Sequence, residues 1–88
     1  MDYNYAVRLL ETQDRNIRRI NGVRFFRNGY EYRLTYKGGF ANYVAIDRRQ
    51  NGKRNFQYYG GIGAYHCMNA VQAYELVLNE IERREKQA

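Results

Sequence analysis

Eighty-eight residues with a net charge of +6, 44% hydrophobic residues, ten tyrosines, four phenylalanines and no tryptophan describe one module, residues 1–88, whose core tyrosine must help to build. A single cysteine excludes an internal disulfide, and one His beside one Cys is too few for a zinc site of the usual ligand count, which points to a reducing compartment with no metal or other cofactor. The opening run MDYNYAVRLLETQ lacks the basic start and apolar core of a signal peptide, and no stretch is apolar for long enough to span a bilayer, so a cytoplasmic protein without a membrane partner is expected.

Taken in chain order, Ala6, Leu9, Leu10, Ile17 and Ile20 recur at helical spacing. They predict an N-terminal helix over about residues 3–20, stopped by Gly22, with a weak stretch over 12–16. Alternation of period two follows, and its turns set a register. A two-residue Asn28-Gly29 turn pairs Phe25 with Tyr32 and Val23 with Leu34. A three-residue Lys37-Gly38-Gly39 loop places Val44 opposite Tyr32 and Ile46 opposite Tyr30. A Gln50-Asn51-Gly52 loop with a left-handed glycine places Ile46 opposite Phe56 and Val44 opposite Tyr58.

The result is a four-stranded antiparallel meander. Val23, Phe25, Tyr30, Tyr32, Leu34 and Tyr36 face inward with Phe40, Val44, Ile46, Phe56 and Tyr58. The outer face takes Arg24, Phe26, Glu31, Arg33, Tyr43, Ala45, Asp47, Arg49, Lys53 and Tyr59. Gly60 to Gly63 read as a flexible corner. After it, Ala70, Tyr74, Val77 and Ile81, flanked by Val71 and Leu78, predict a C-terminal helix. Asn69 caps it, Gln72 completes the reciprocal cap and Met68 staples the entry, while its acids form an ordinary solvated surface. The expected fold is α+β, with the N-terminal helix and the C-terminal helix covering one face of the sheet.

Charge is segregated along the chain. Residues 15–54 hold eleven bases against Glu31 and Asp47, a net +9, while both flanks are slightly acidic. A field of that kind attracts nucleic acid or an acidic protein surface. The predicted outer row runs Arg24, Arg33, Tyr43, Tyr59, with Arg49 and Lys53 on the same face. Arginine can bond two acceptors of a phosphate or a guanine edge, and tyrosine can stack on an unpaired base, so these six residues form the candidate nucleic-acid-binding set. No catalytic constellation accompanies them. His66 and Cys67 are sequence neighbours without a third group to hold them, and the glycine run lacks the Lys-Ser/Thr pair of a phosphate loop, so no enzyme is expected.

The run NYVAIDRRQNGKRNFQYYGG followed by NAVQAYELVLNEIE resembles the plant AP2-type and phage-integrase arm-binding DNA domains over about residues 30–81. The comparable residues are Tyr43, Val44, Ala45, Gly52, Lys53, Arg54 and Gly60, with the AVQAY of 70–74. The resemblance implies a three-stranded sheet against one C-terminal helix, reading DNA through Arg33, Tyr43, Arg49 and Lys53. The sequence therefore predicts a small basic nucleic-acid-binding module, DNA ahead of RNA, of the kind found in phages and other mobile elements. The alternative is a phage-type inhibitor, similar to anti-CRISPR proteins, that binds an acidic or nucleic-acid-handling host protein. The oligomeric state stays open.

Overall fold

A computed structural model describes residues 16–65 and 68–87 of the chain. Its elements are a 3-10 turn (Ile17–Ile20), four strands, β1 (Arg24–Arg27), β2 (Tyr30–Lys37), β3 (Tyr43–Gln50) and β4 (Gln57–Gly63), and one helix, α1 (Ala70–Gln87). The expected pair of covering helices is corrected at its first member. Residues 3–15 of that prediction lie outside the described residues, and Ile17–Ile20 form a single tight turn rather than the end of an α-helix. The cause is Asn16, whose side chain accepts the Arg18 amide at 3.0 Å and starts a new turn. Gly22, at φ 79°, then redirects the chain into the sheet.

The strands form an antiparallel meander in the order β1-β2-β3-β4. The Asn28-Gly29 turn has positive φ at both residues and pairs Phe25 with Tyr32, as its sequence dictates. The second connection runs over five residues, 38–42, instead of three, so Val44 faces Tyr36 and Ile46 faces Leu34. The reason is Asn42: its side chain accepts the Tyr36 hydroxyl at 3.2 Å and donates to the Ala64 carbonyl at 2.6 Å, which commits it to the end of β4. The slip is even-numbered, so faces are kept. Phe40, expected inside, sits at the tip and is fully exposed.

The third connection reverses the faces. The expected turn does form, with Gly52 at φ 91° and the Lys53 amide bonded to the Gln50 carbonyl at 2.9 Å, but pairing resumes only at Gln57. Asp47 then faces Tyr58, Ile46 faces Gly60, and Tyr59 is the extra residue of a β-bulge. Tyr58 therefore points out, 64% exposed, and Tyr59, expected outside, packs edge-on against Tyr32 at 5.9 Å. Phe56, also expected inside, lies on the outer face against arginines. Residues 60–63, expected as a loose corner, are strand.

Helix α1 begins with the reciprocal cap: Asn69 Oδ1 accepts the Gln72 amide at 2.8 Å, and Gln72 Oε1 accepts the Asn69 amide at 3.0 Å. Its buried stripe, Ala70, Ala73, Tyr74, Val77 and Ile81, joins Ile20, Val23, Phe25, Tyr32, Leu34, Val44 and Ile46 in one core with Met68. Phe25 is the hinge of the aromatic part, stacked on Tyr32 at 5.2 Å and edge-on to Tyr74 at 5.5 Å. The helix acids are more than solvated surface. Glu85 accepts Arg27 Nη2 at 3.1 Å and Asn28 Nδ2 at 2.9 Å, tying the helix end to the first hairpin and holding the Glu85 carboxyl below its usual range through those two hydrogen bonds.

Candidate nucleic-acid interface

On the outer face the strand pairing produces a cross-strand row of Arg24, Arg33, Asp47 and Tyr58, in place of the expected Arg24, Arg33, Tyr43, Tyr59. Its centre is Phe56. The guanidinium carbons of Arg33, Arg49 and Arg24 stand 4.3, 4.5 and 5.4 Å from that ring. Three cations can converge there because two carboxylates converge with them. Arg49 Nη2 meets Glu31 Oε1 at 2.7 Å, Arg24 Nη1 meets Glu31 Oε2 at 3.7 Å, and Arg33 Nη2 meets Asp47 Oδ2 at 3.3 Å. Glu31, expected on the solvated face, is only 6% exposed, with the Arg24 and Arg49 guanidiniums paired to it. Ala45, expected beside it in solvent, is buried as well. This face is a packed and largely neutralised polar layer.

The open concavity lies at one end of the sheet, where β3, β4 and the 51–56 connection meet. A groove of about 530 Å³ is lined there by Arg48, Arg49, Lys53 and Arg54, by Tyr30, Tyr58 and Tyr59, and by the amides of Gln50, Asn55 and Gln57. None of these lining residues is acidic. Arg48 anchors the floor: its guanidinium lies 3.8 Å from the Tyr30 ring centre and 4.0 Å from that of Tyr59, and Nη1 donates to the Tyr32 hydroxyl at 3.4 Å. Burial pushes the Tyr32 phenol up, against the opposing pull of Arg48, so at neutral pH it stays an uncharged acceptor. Aromatic rings thus hold Arg48 where a carboxylate normally would, and among the described residues no acid forms an ion pair with it. Lys53 and Arg54 likewise form no ion pair with a described residue, and both are exposed. Arg49 links the two regions, donating to Glu31 on one side and to the Arg54 carbonyl at 2.9 Å on the other.

Of the six residues singled out in the sequence, Arg49, Lys53 and Tyr59 line the groove, and Arg24, Arg33 and Tyr43 do not. Arg24 and Arg33 belong to the Phe56 cluster, while the Tyr43 ring leans with the Tyr58 hydroxyl over Gly61. Sequence reasoning missed Arg48, Arg54, Tyr30 and Tyr58. Arg48 has an inward position in the alternation, flanked by Asp47 and Arg49, and an arginine at an inward register position is the signal that marks it. Among the described residues no group of three acids, His or Cys stands where it could hold a metal ion, and His66 and Cys67 lie outside them. No described helix is long and apolar enough to cross a membrane.

Comparison with protein-family models, with curated proteins and with solved structures finds no match to this chain. The resemblance to arm-binding DNA domains therefore rests on the quoted residues alone.

Proposed function

We propose that the protein is a nucleic-acid-binding module and that the groove at the β3–β4 end is where it makes contact. The observation that carries this reading is a concavity lined by four basic residues and three tyrosines with no acid among them. Guanidinium and ammonium groups suit phosphate oxygens, tyrosine rings suit base faces, and side-chain amides suit base edges. Its volume falls within the ~300–1,000 Å³ usual for ligand sites, so contact is with a short segment rather than a long track. The arginines of the outer face contribute less to binding than their number suggests, because Glu31 and Asp47 already occupy them.

The test is fluorescence anisotropy with a labelled oligonucleotide at two ionic strengths. Neutralising about three to four phosphates makes affinity fall by roughly one to two orders of magnitude over a fourfold rise in salt. Absence of binding at low salt overturns the proposal. In that event a stoichiometric complex with a host protein after nuclease treatment would favour the inhibitor reading.

A further inference from the structure

Accepting the nucleic-acid reading, we infer that the groove takes a single strand, with one unpaired base stacked on Tyr58 and the neighbouring phosphates held by Arg48, Lys53 and Arg54. Two features separate this from duplex recognition. A protein element that reads a duplex must protrude into a groove of the nucleic acid, as an α-helix or a β-ribbon does. This site is the reverse, a hollow at the end of a sheet, which admits a splayed nucleotide and gives the broad surface of a duplex little to hold. The flat face that could lie against a duplex is the outer one, where Arg33 and Arg49 are spent on Asp47 and Glu31 around Phe56.

The chemistry of the lining is that of single-strand recognition. Tyr58 is 64% exposed, so its ring is open to a base, and the pairing of Asp47 with Tyr58 fixes where its backbone stands. Stacking of this type tolerates any base, because every base has a π-face. Arg48 is already oriented by Tyr30, Tyr59 and the Tyr32 hydroxyl, so little side-chain entropy is lost when its remaining N–H groups meet a phosphate. Lys53 and Arg54, exposed on the connection between β3 and β4, follow the backbone. Gln50, Asn55 and Gln57 supply the donors and acceptors that an unpaired base edge presents to, which a paired base would hide.

The experiment measures the full-length chain against a fluorescent oligo(dT), an oligo(rU) of equal length, a duplex of equal length and inorganic polyphosphate as competitor. Both single strands are expected to bind at least tenfold more tightly than the duplex, and the ratio of the two tells whether a 2′-hydroxyl is sensed. Tyr58→Leu, at an exposed position, should cost roughly tenfold on the single strands and leave the duplex unchanged. Arg48→Lys keeps the charge but loses the planar stack, and should weaken single-strand binding, whereas Arg33→Gln on the outer face should not. Circular dichroism of each variant checks the fold. Equal affinity for single strand and duplex, or Tyr58→Leu with no effect, or polyphosphate competing as well per charge as the oligonucleotide, overturns this inference and leaves the nucleic-acid reading standing. Failure of every oligonucleotide to bind at low salt overturns both.

Discussion

The outer face and the β3–β4 groove are made of the same materials, arginines laid on aromatic rings, and differ in where the acids are. Around Phe56 three guanidiniums share Glu31 and Asp47, and the result is a brace across β1, β2 and β3 that takes in the residue just before β4. Around Tyr30 and Tyr59 one guanidinium lies on two rings with no described acid in ion-pair contact, Glu85 acting on it only at longer range, and the result is a cation held in place yet still available. Cation–π packing contributes about 0.5–2 kcal/mol in either setting. What distinguishes the structural cluster from the proposed binding groove is therefore the position of the carboxylates, and changing either set of charges tests that difference.

The largest effect is expected for Lys53→Gln combined with Arg54→Gln. Both side chains are exposed and form no ion pair with a described residue, so stability should stay within about 0.5 kcal/mol of the parent by urea unfolding. Oligonucleotide affinity should fall about tenfold or more, and the slope of log affinity against log salt should shrink by about two. Unchanged affinity would mean that the groove and the brace do not differ in function.

Two adjacent glycines then probe the two sides of the sheet separately. A Cβ at Gly61 would stand 3.0 Å from the Val44 carbonyl and 3.0 Å from the Tyr43 ring, and the backbone oxygen cannot yield, so Gly61→Ala should cost about 1–3 kcal/mol. A Cβ at Gly60 would stand nearest the guanidinium end of Arg84, at 2.9 Å, and the head of a flexible side chain can swing away. Gly60→Ala should therefore lie within about 1 kcal/mol of the parent, since alanine also lowers the entropy of the unfolded chain. A reversed order in thermal unfolding would mean that the helix side, not the outer side, is the rigid one.

Glu31→Ala removes the acid that most clearly makes the outer face structural. Its loss leaves Arg49 and Arg24 facing each other, but those side chains keep 29% and 36% exposure, so solvent relieves part of the penalty. A loss of about 1–2 kcal/mol is expected, toward the low end for a missing hydrogen-bonded charge. Binding should persist or strengthen, because Arg49 is released toward the groove it already lines. Weaker binding by a still-folded variant would show that the two regions cannot be separated.

How much of this was legible in the sequence follows from what each turn encodes. Asn28-Gly29 specifies one geometry, and the first hairpin was readable to the residue. The capping pair Asn69 and Gln72 was equally local and equally readable. The second loop kept the faces but not the partners, because Asn42 bonds to Ala64, 22 residues away, and no local pattern announces that. The β-bulge at Tyr59 was invisible for a related reason: with Phe56, Tyr58 and Tyr59 all aromatic, the alternation cannot tell which ring enters the core. Long-range chemistry decides it, three guanidiniums drawing Phe56 outward and Tyr32 receiving Tyr59. Half of the residues expected in the site line the groove, and a face predicted from parity became two regions once the bulge exchanged Tyr58 and Tyr59. The expected N-terminal helix relied on periodicity through Ile17 and Ile20, where the Asn16 cap overrides it.

The smallest effect concerns a cation that sits between the two cases. Arg84 reaches over the same Tyr59 ring as Arg48, at 5.3 Å, but Glu80 accepts its Nε at 2.7 Å and also holds Arg83. Hydrogen bonds from Arg83 and Arg84 lower the Glu80 carboxyl from its ordinary 4.5 to about 2. A depressed carboxyl contributes stability that is complete above pH 4.5 and is lost as pH falls toward 2 through the folded value, since the unfolded chain takes up the proton first. Glu80→Gln should flatten that limb of an acid-unfolding curve. At neutral pH it should leave Arg84 without its Glu80 partner beside Tyr59 and raise oligonucleotide affinity by no more than a fewfold. A glutamine variant that loses affinity would show that Arg84 must stay fixed on Tyr59 to keep the groove's floor in shape, and that the acid serves the binding side after all.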